Sequence, residues 1–236
     1  MPRHASFADL LHDTSPKSAA VIVPMLMGLC TPKSVLDVGC GVGAWLAEFI
    51  ANGVSDIHGI DTFEPSDASL ISGTEYEQFD LTGGFMVGRS FDLAICLEVG
   101  EHLPAASSPA LVASLVKAAP VVAFSAAIPG QFGPSHINMQ WPSYWRILFE
   151  AHGYRQFDPF RARLWDDDRV AWWYRQNIFV YSAHDFDVPS DMPECVVHPG
   201  LFADRLRETD PRVHSIREVL RAIPSAARVT LRNRMR

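Results

Sequence analysis

The chain has 236 residues, 48% of them hydrophobic, with four cysteines and a net charge of −7. That length suits a single α/β domain with a full core, and the acidic balance argues against a nucleic-acid enzyme with a broad basic face. The longest apolar run, 19–30, contains Pro24 and falls short of the roughly 18 residues a membrane span needs, and Cys30, Cys40, Cys96 and Cys195 lie too far apart to suggest a disulfide framework or a zinc site.

The N-terminal residues lack a basic region followed by an apolar one, so no signal peptide is expected and the expected compartment is the cytoplasm. Apolar runs then alternate with amphipathic ones, the pattern of a parallel sheet covered by helices. The pattern predicts a helix near 18–29, a strand at 34–38 and a helix over about 42–52 stopped by Asn52-Gly53. Strands follow at 56–60, near 75–79 and at 91–97. A helix near 108–118 precedes a strand at 121–126 and a loop rich in Gly and Pro. Pro142 opens a helix over 142–152 that ends at Gly153. An aromatic arm (159–175) and a strand at 177–183 complete a domain expected to span 1–186. The remainder, 187–236, reads as a helical tail. Its last 32 residues hold nine of the chain's 20 basic groups, all arginine, which fits a solvated or partner-docking helix.

Between the first strand and its helix, VLDVGCGVGAWL (35–46) places Gly39, Gly41 and Gly43 where a ligand can approach backbone N–H groups. A dinucleotide is one candidate, but two details oppose it. Asp37 would repel a pyrophosphate while suiting an ammonium, and Ala44 stands where the dinucleotide fingerprint wants glycine. Asp61 closes the next strand, where a carboxylate grips ribose hydroxyls, and Asp80 follows the strand after that. Three strand-end acids with one glycine loop fit an adenosyl group carrying an amino acid.

On these residues the chain resembles the class I S-adenosylmethionine-dependent methyltransferases over roughly residues 30–183. The resemblance implies a Rossmann-like, seven-stranded, mostly parallel sheet with helices on both faces. It also implies S-adenosylmethionine as cofactor. The Asp37–Gly43 loop would lie beneath the methionine part, Asp61 would bind both ribose hydroxyls, and Asp80 with Leu81 would flank the adenine. Thr62, beside Asp61, and Leu97, at the end of the 91–97 strand, complete the expected cofactor set.

The strand at 91–97 surfaces into LEVGEHLP (97–104), where Glu98, Glu101 and His102 spell E-x-x-E-H, and His136 follows in the later loop. Two carboxylates and two imidazoles can form a divalent-metal shell. The motif is similar to that of the small-RNA 2′-O-methyltransferases and the ubiquinone-pathway O-methyltransferases. That similarity implies Glu98, Glu101, His102 and His136 as ligands of Mg or Mn. Unlike the RNA enzymes, this chain has Gly133, Pro134 and Ser135 before its last candidate ligand. Without a metal, Glu98 would face the cofactor, Glu101 would cap the next helix and His102 would be a lone general base. In both readings His102, His136 and Glu101 are the candidate catalytic groups.

Five of the six tryptophans fall in 128–145 and 163–176. Aromatics beside polar groups suit a sugar or polyhydroxylated ring, which makes Gln131, Asn138, Trp141, Trp145 and Trp172 candidate acceptor contacts. Packing at the sheet edge or in a homodimer is the alternative. The expected function is O-methylation of a saccharide or other small metabolite. Two alternatives stand beside it: a nitrogen, carbon or RNA acceptor, and a non-catalytic cofactor-binding subunit that docks through the arginine-rich tail.

Overall fold

The computed structural model describes residues 7–63, 69–72, 75–188 and 192–209. Five strands, β1 (Ser34–Val38), β2 (Asp56–Asp61), β3 (Tyr76–Gln78), β4 (Leu93–Leu97) and β5 (Val121–Ser125), pair in parallel. β6 (Arg155–Phe157) and β7 (Phe179–Ser182) complete the sheet, with β7 antiparallel to both β5 and β6. The order β3-β2-β1-β4-β5-β7-β6 reverses direction between β1 and β4, the kind of crevice in which open α/β sheets bind ligands.

Each central strand is buried on both faces, which explains its continuous apolar sequence. Successive side chains serve opposite cores. Leu93, Ile95 and Leu97 join Val35, Val121 and Ala123 under α1 (Phe7–Cys30) and α2 (Ala44–Ala51). Ala94 and Cys96 join Leu36, Val122 and Phe124 under α3 (Ser108–Ala118) and α4 (Pro142–Glu150). The helices thus cover both faces, as expected. The short α5 (Arg161–Leu164) and α6 (Trp172–Asn177) fold the aromatic arm back, and Phe160, Leu164 and Tyr174 enter the first core.

Several boundaries moved. α1 begins at Phe7, well before 18, and carries Pro16 and Pro24 internally. α2 begins at Ala44 because Gly43, at φ 79°, turns the chain into it. β6 went unpredicted, as three partly exposed residues carry no readable period. The strand expected from 177 begins at Phe179, because Asn177 still belongs to α6.

Two compact units divide at 198/199. The first continues past 186 because Arg161 donates to the carbonyls of Pro193 (2.8 Å) and Glu194 (3.2 Å), and Arg146 Nε to Glu194 Oε1 (2.8 Å). The second contains α7 (Pro199–Thr209), and the arginine-rich stretch from 210 onward lies outside the described residues. Among the described residues no helix is long and apolar enough to cross a membrane.

One expected acceptor contact is corrected here. Trp145 is 2% exposed and packs its ring 4.8 Å from that of Phe124. It lies on the buried face of α4, so it supports the second core rather than a ligand. Its ring also lies over Gly100, where an added Cβ would meet it at 2.7 and 2.8 Å. Gly100→Ala should therefore lower unfolding free energy by about 1–3 kcal/mol, the usual effect of overpacking. Trp145→Phe in the same background should restore part of the loss. Urea denaturation checks both, and an unchanged midpoint for Gly100→Ala would mean the contact is looser than described.

Candidate active site

The loop after β1 is shaped by three glycines at φ 80°, 53° and 79°, Gly39, Gly41 and Gly43, backbone that side chains with a Cβ resist. A Cβ on Gly39 would stand 2.3 Å from Val99 Cγ2, so the loop and the turn after β4 are packed together. At Gly41 a Cβ would meet nothing within 4 Å, so this part of the loop faces open space. The Gly41 N–H donates to Asp61 Oδ2 at 2.8 Å and that of Phe63 to Asp61 Oδ1 at 3.1 Å. The carboxylate at the end of β2 is thereby aimed at the glycine loop. Asp80 accepts from Thr82 N (2.9 Å) and Thr82 Oγ1 (2.7 Å), and the Thr82 amide holds its carboxyl below the usual value. Leu81 beside it is buried, and so is Leu97 at the end of β4, whereas Thr62 is exposed.

Asp37 is 3% exposed and its Oδ2 has no hydrogen-bond partner. Burial raises its carboxyl well above the ordinary value, and the charge of Asp61 adds to the effect. A buried acceptor without a donor is costly. An ammonium group is the donor it lacks, so Asp37, the open loop at Gly41 and Asp61 together fit the amino-acid and ribose parts of S-adenosylmethionine.

The turn after β4 starts at Glu98, a non-glycine residue at φ 56°, whose N–H donates to the Ser125 carbonyl at 2.9 Å. A single 3-10 turn, Gly100–His102, follows. Glu101 is fully buried and neither carboxyl oxygen has a hydrogen-bond partner. Burial first, and then the charge of Glu98, raise its carboxyl well above the ordinary value, although the nearby amides of Glu101 and Ala127 pull the other way. His102 is half-buried; burial, and secondarily His136, hold its imidazole below the usual value.

The loop from Gln131 to Asn138 brings His136 to this turn. The N–H groups of Ile137 and Asn138 donate to the Glu101 carbonyl at 2.8 and 3.0 Å. The rings of His102 and His136 stand edge to face, 4.8 Å apart. His136 Nδ1 lies 2.7 Å from the Gln131 carbonyl. A carbonyl only accepts, so Nδ1 carries the proton and Nε2 presents its lone pair. One ligand atom from each of Glu101, His102 and His136 lies within 4.8 Å of the others. An unpartnered buried carboxylate with two imidazoles, one of them oriented by a backbone carbonyl, fits a divalent cation.

Of the other expected site residues, Glu98, Gln131 and Asn138 lie beside this group. Glu98 is outside the three-residue cluster; its carboxylate is occupied by Gln131 Nε2 at 2.8 Å and Asn177 Nδ2 at 3.2 Å. Glu101 does not cap α3, which begins with Ser107 as its N-cap. Asn138 is 2% exposed and braces the site, donating to the Gly100 carbonyl (3.1 Å) and Ser108 Oγ (3.0 Å) while accepting from Gln140 (3.0 Å). That bonding corrects its expected role as an acceptor contact. Gln131, 6% exposed, turns its amide toward Glu98. Trp141 is 39% exposed, and Trp172 is half-buried against Trp173. Gln176 and Asn177, both buried beside Glu98, were not anticipated. Their signal was a polar Arg-Gln-Asn run directly before a core strand, the counterpart of the acids that follow β4.

A family model for a methyltransferase domain matches residues 3–187. The chain belongs to this family, and its fold is that of the class I S-adenosylmethionine-dependent methyltransferases. It is similar to the ubiquinone biosynthesis O-methyltransferase of Neisseria meningitidis serogroup C, 32% identical over 148 residues that cover 56% of each chain. The chain spans about a third to just over a half of the length of the first curated relatives it matches. Among solved structures, Streptomyces venezuelae DesVI superposes with a TM-score of 0.55 at 16% identity, over 78% of this chain and all of that one. S-adenosylmethionine-bound CalS10 of Micromonospora echinaspora, an amino pentose methyltransferase, superposes with a TM-score of 0.51 at 15% identity, over 78% and 99%. At those identities the likeness is one of fold.

The unpaired Asp37 yields a stability prediction. Its folded pKa is raised, so its contribution to stability is full below the unfolded carboxyl pKa and is lost as pH rises through the raised value. Asp37→Asn should therefore raise the stability of the ligand-free protein by about 1–3 kcal/mol at pH 8, the scale of an unsatisfied buried group. The gain should shrink toward pH 4. Thermal melts across that range check it, and a constant difference would show that the carboxyl does not carry the effect.

Proposed function

We propose that this chain is an S-adenosylmethionine-dependent O-methyltransferase acting on a hydroxyl of a saccharide or other small metabolite, with a divalent cation, Mg or Mn, assisting. The single observation that carries the reading is the Glu101–His102–His136 cluster, set on a turn whose Val99 packs against Gly39 of the cofactor loop. In this reading Asp37 receives the cofactor's ammonium, Asp61 its ribose hydroxyls, and Asp80 with Leu81 its adenine. Leu97 and the three glycines shape the floor, and Thr62 lies beside the ribose. The sulfonium supplies an activated methyl group, so the protein's task is alignment and removal of the acceptor's proton. Glu101, His102 and His136 would hold the cation, which would lower the pKa of an acceptor hydroxyl.

His102, kept neutral by its burial, has one lone pair to give: it is a ligand when the cation is bound, and the general base where no cation binds. Trp141 and Trp172, the candidate tryptophans that retain exposed surface, supply faces on which a sugar ring stacks. The curated relatives named as O-methyltransferases support oxygen as the acceptor atom. We further propose a small-molecule acceptor rather than nucleic acid, a cytoplasmic location and a homodimer.

Calorimetric titration of S-adenosylhomocysteine, and of Mn²⁺ after chelation, into the full chain tests the two halves of the reading. Asp61→Ala should weaken nucleoside binding by about 1–3 kcal/mol, as expected for lost charge-assisted hydrogen bonds, and unchanged affinity would sink the ribose assignment. Glu101→Ala should abolish Mn²⁺ binding. His102→Ala should spare cofactor binding and lower turnover on a screened hydroxyl acceptor by about 10²–10⁴-fold. Because the His102 pKa is lowered, wild-type turnover should fall only once pH drops below the ordinary imidazole range. A fall beginning above that range would show that the titrating group is not His102.

A further inference from the structure

Glu98 lies outside the three-residue cluster, yet its carboxylate is held from both sides. Oε2 accepts from Gln131 Nε2 at 2.8 Å and Oε1 from Asn177 Nδ2 at 3.2 Å. The amides are also tied to one another. Asn177 Nδ2 reaches Gln131 Oε1 at 2.9 Å, and Gln176 Nε2 donates to Asn177 Oδ1 at 2.9 Å. Gln176 Oε1 accepts in turn from the His198 N–H at 2.7 Å. All three amides are 6% exposed or less. Both Glu98 oxygens accept from amide N–H groups, and that fixes the orientation of the amides that face it.

Two further observations give this network a direction. Gln131 serves both halves of the site, because its side chain holds Glu98 while its carbonyl accepts from His136 Nδ1. The chain also solves the same problem differently where no ligand is in question. The buried Asp158 is paired with the fully buried Arg161 guanidinium at 2.8–2.9 Å. A guanidinium beside Glu98 would repel a cation, whereas neutral amides stabilise the carboxylate and leave the local charge negative.

We infer that Gln131 and Asn177 form a buried amide clamp that positions Glu98 and His136 for a divalent cation at the Glu101–His102–His136 cluster. Asn177, at the end of α6, is thus a positioning residue for a site built on β4. This rests on the cation reading of the proposed function. The clamp ties the aromatic arm to the site by hydrogen bonds, so the α6–β7 junction sets the affinity of the site without a ligand of its own.

The test is calorimetric titration of Mn²⁺ alone into chelator-treated full-length wild type, Asn177→Leu, Gln131→Met and Glu101→Ala, with S-adenosylhomocysteine binding as the check on folding. The two clamp variants replace a polar side chain by an apolar one of similar size, and Gln131 lies on a loop, so at least one readout survives a folding defect at Asn177. Variants that keep wild-type affinity for S-adenosylhomocysteine should bind Mn²⁺ about 10–100-fold more weakly, the range seen when groups that orient metal ligands are removed. Wild-type Mn²⁺ affinity in both, with loss in Glu101→Ala, would overturn the clamp and leave the cation site standing. No Mn²⁺ binding by the wild type would overturn the cation reading and the clamp with it.

Discussion

Two carboxyl groups, Asp37 and Glu101, are taken out of water at the C-terminal edge of the sheet and given no full set of donors. Much of the surrounding structure follows from that constraint. Neighbouring negative charge, Asp61 in one case and Glu98 in the other, aggravates each of them. Such groups persist only when the scaffold overdetermines their position. Here β1 and β4 are adjacent, parallel and buried on both faces, so the acid at 37 and the turn that begins at 98 cannot retreat to solvent without disrupting the sheet. In the proposed reading, a free energy that would be wasteful in a purely structural domain is recovered as binding free energy for a cation or an ammonium.

The loops that meet at this edge are tied to each other more than to solvent. Gly39 packs under Val99, the Glu101 carbonyl accepts from Ile137 and Asn138, and Asp61 accepts from Gly41 and Phe63. Two non-glycine residues in left-handed backbone, Glu98 and Ser135, stand at the two places where the chain turns to present a candidate ligand. Strain of this kind is a feature of functional edges, and its location agrees with the chemistry of Glu101 and His136. Side chains that resemble acceptor contacts in sequence, Trp145 and Asn138, turn out to hold these turns in place, one as a buried ring beneath Gly100 and the other as a strut between Gly100 and Ser108.

Much of the fold was legible because a parallel sheet writes itself as apolar runs of strand length separated by amphipathic stretches. β1, β2, β4, β5 and α3 lie within a residue or two of where periodicity put them. β6 did not, because three partly exposed residues have no pattern to read. The acids that end β1 and β2 and follow β3 and β4 were legible for a different reason: charge directly after a core strand has few structural explanations. Gln176 and Asn177 obeyed the same rule in reverse, as polar groups directly before a core strand, but their importance depends on a partner 79 residues earlier in the chain.

By itself, then, the sequence determined the strand and helix pattern, the glycine loop and the identities of Asp37, Asp61, Asp80, Glu101, His102 and His136, since all but His136, in the loop between β5 and α4, are encoded within a few residues of a strand end. Only the tertiary structure decided which of them meet. It brought His136 to His102 across 33 intervening positions, separated Glu98 from the cluster by giving its oxygens to two amides, and moved Trp145 into the core. Those outcomes depend on contacts between distant segments, and a local pattern specifies which face a residue occupies but not which distant side chain will be waiting there.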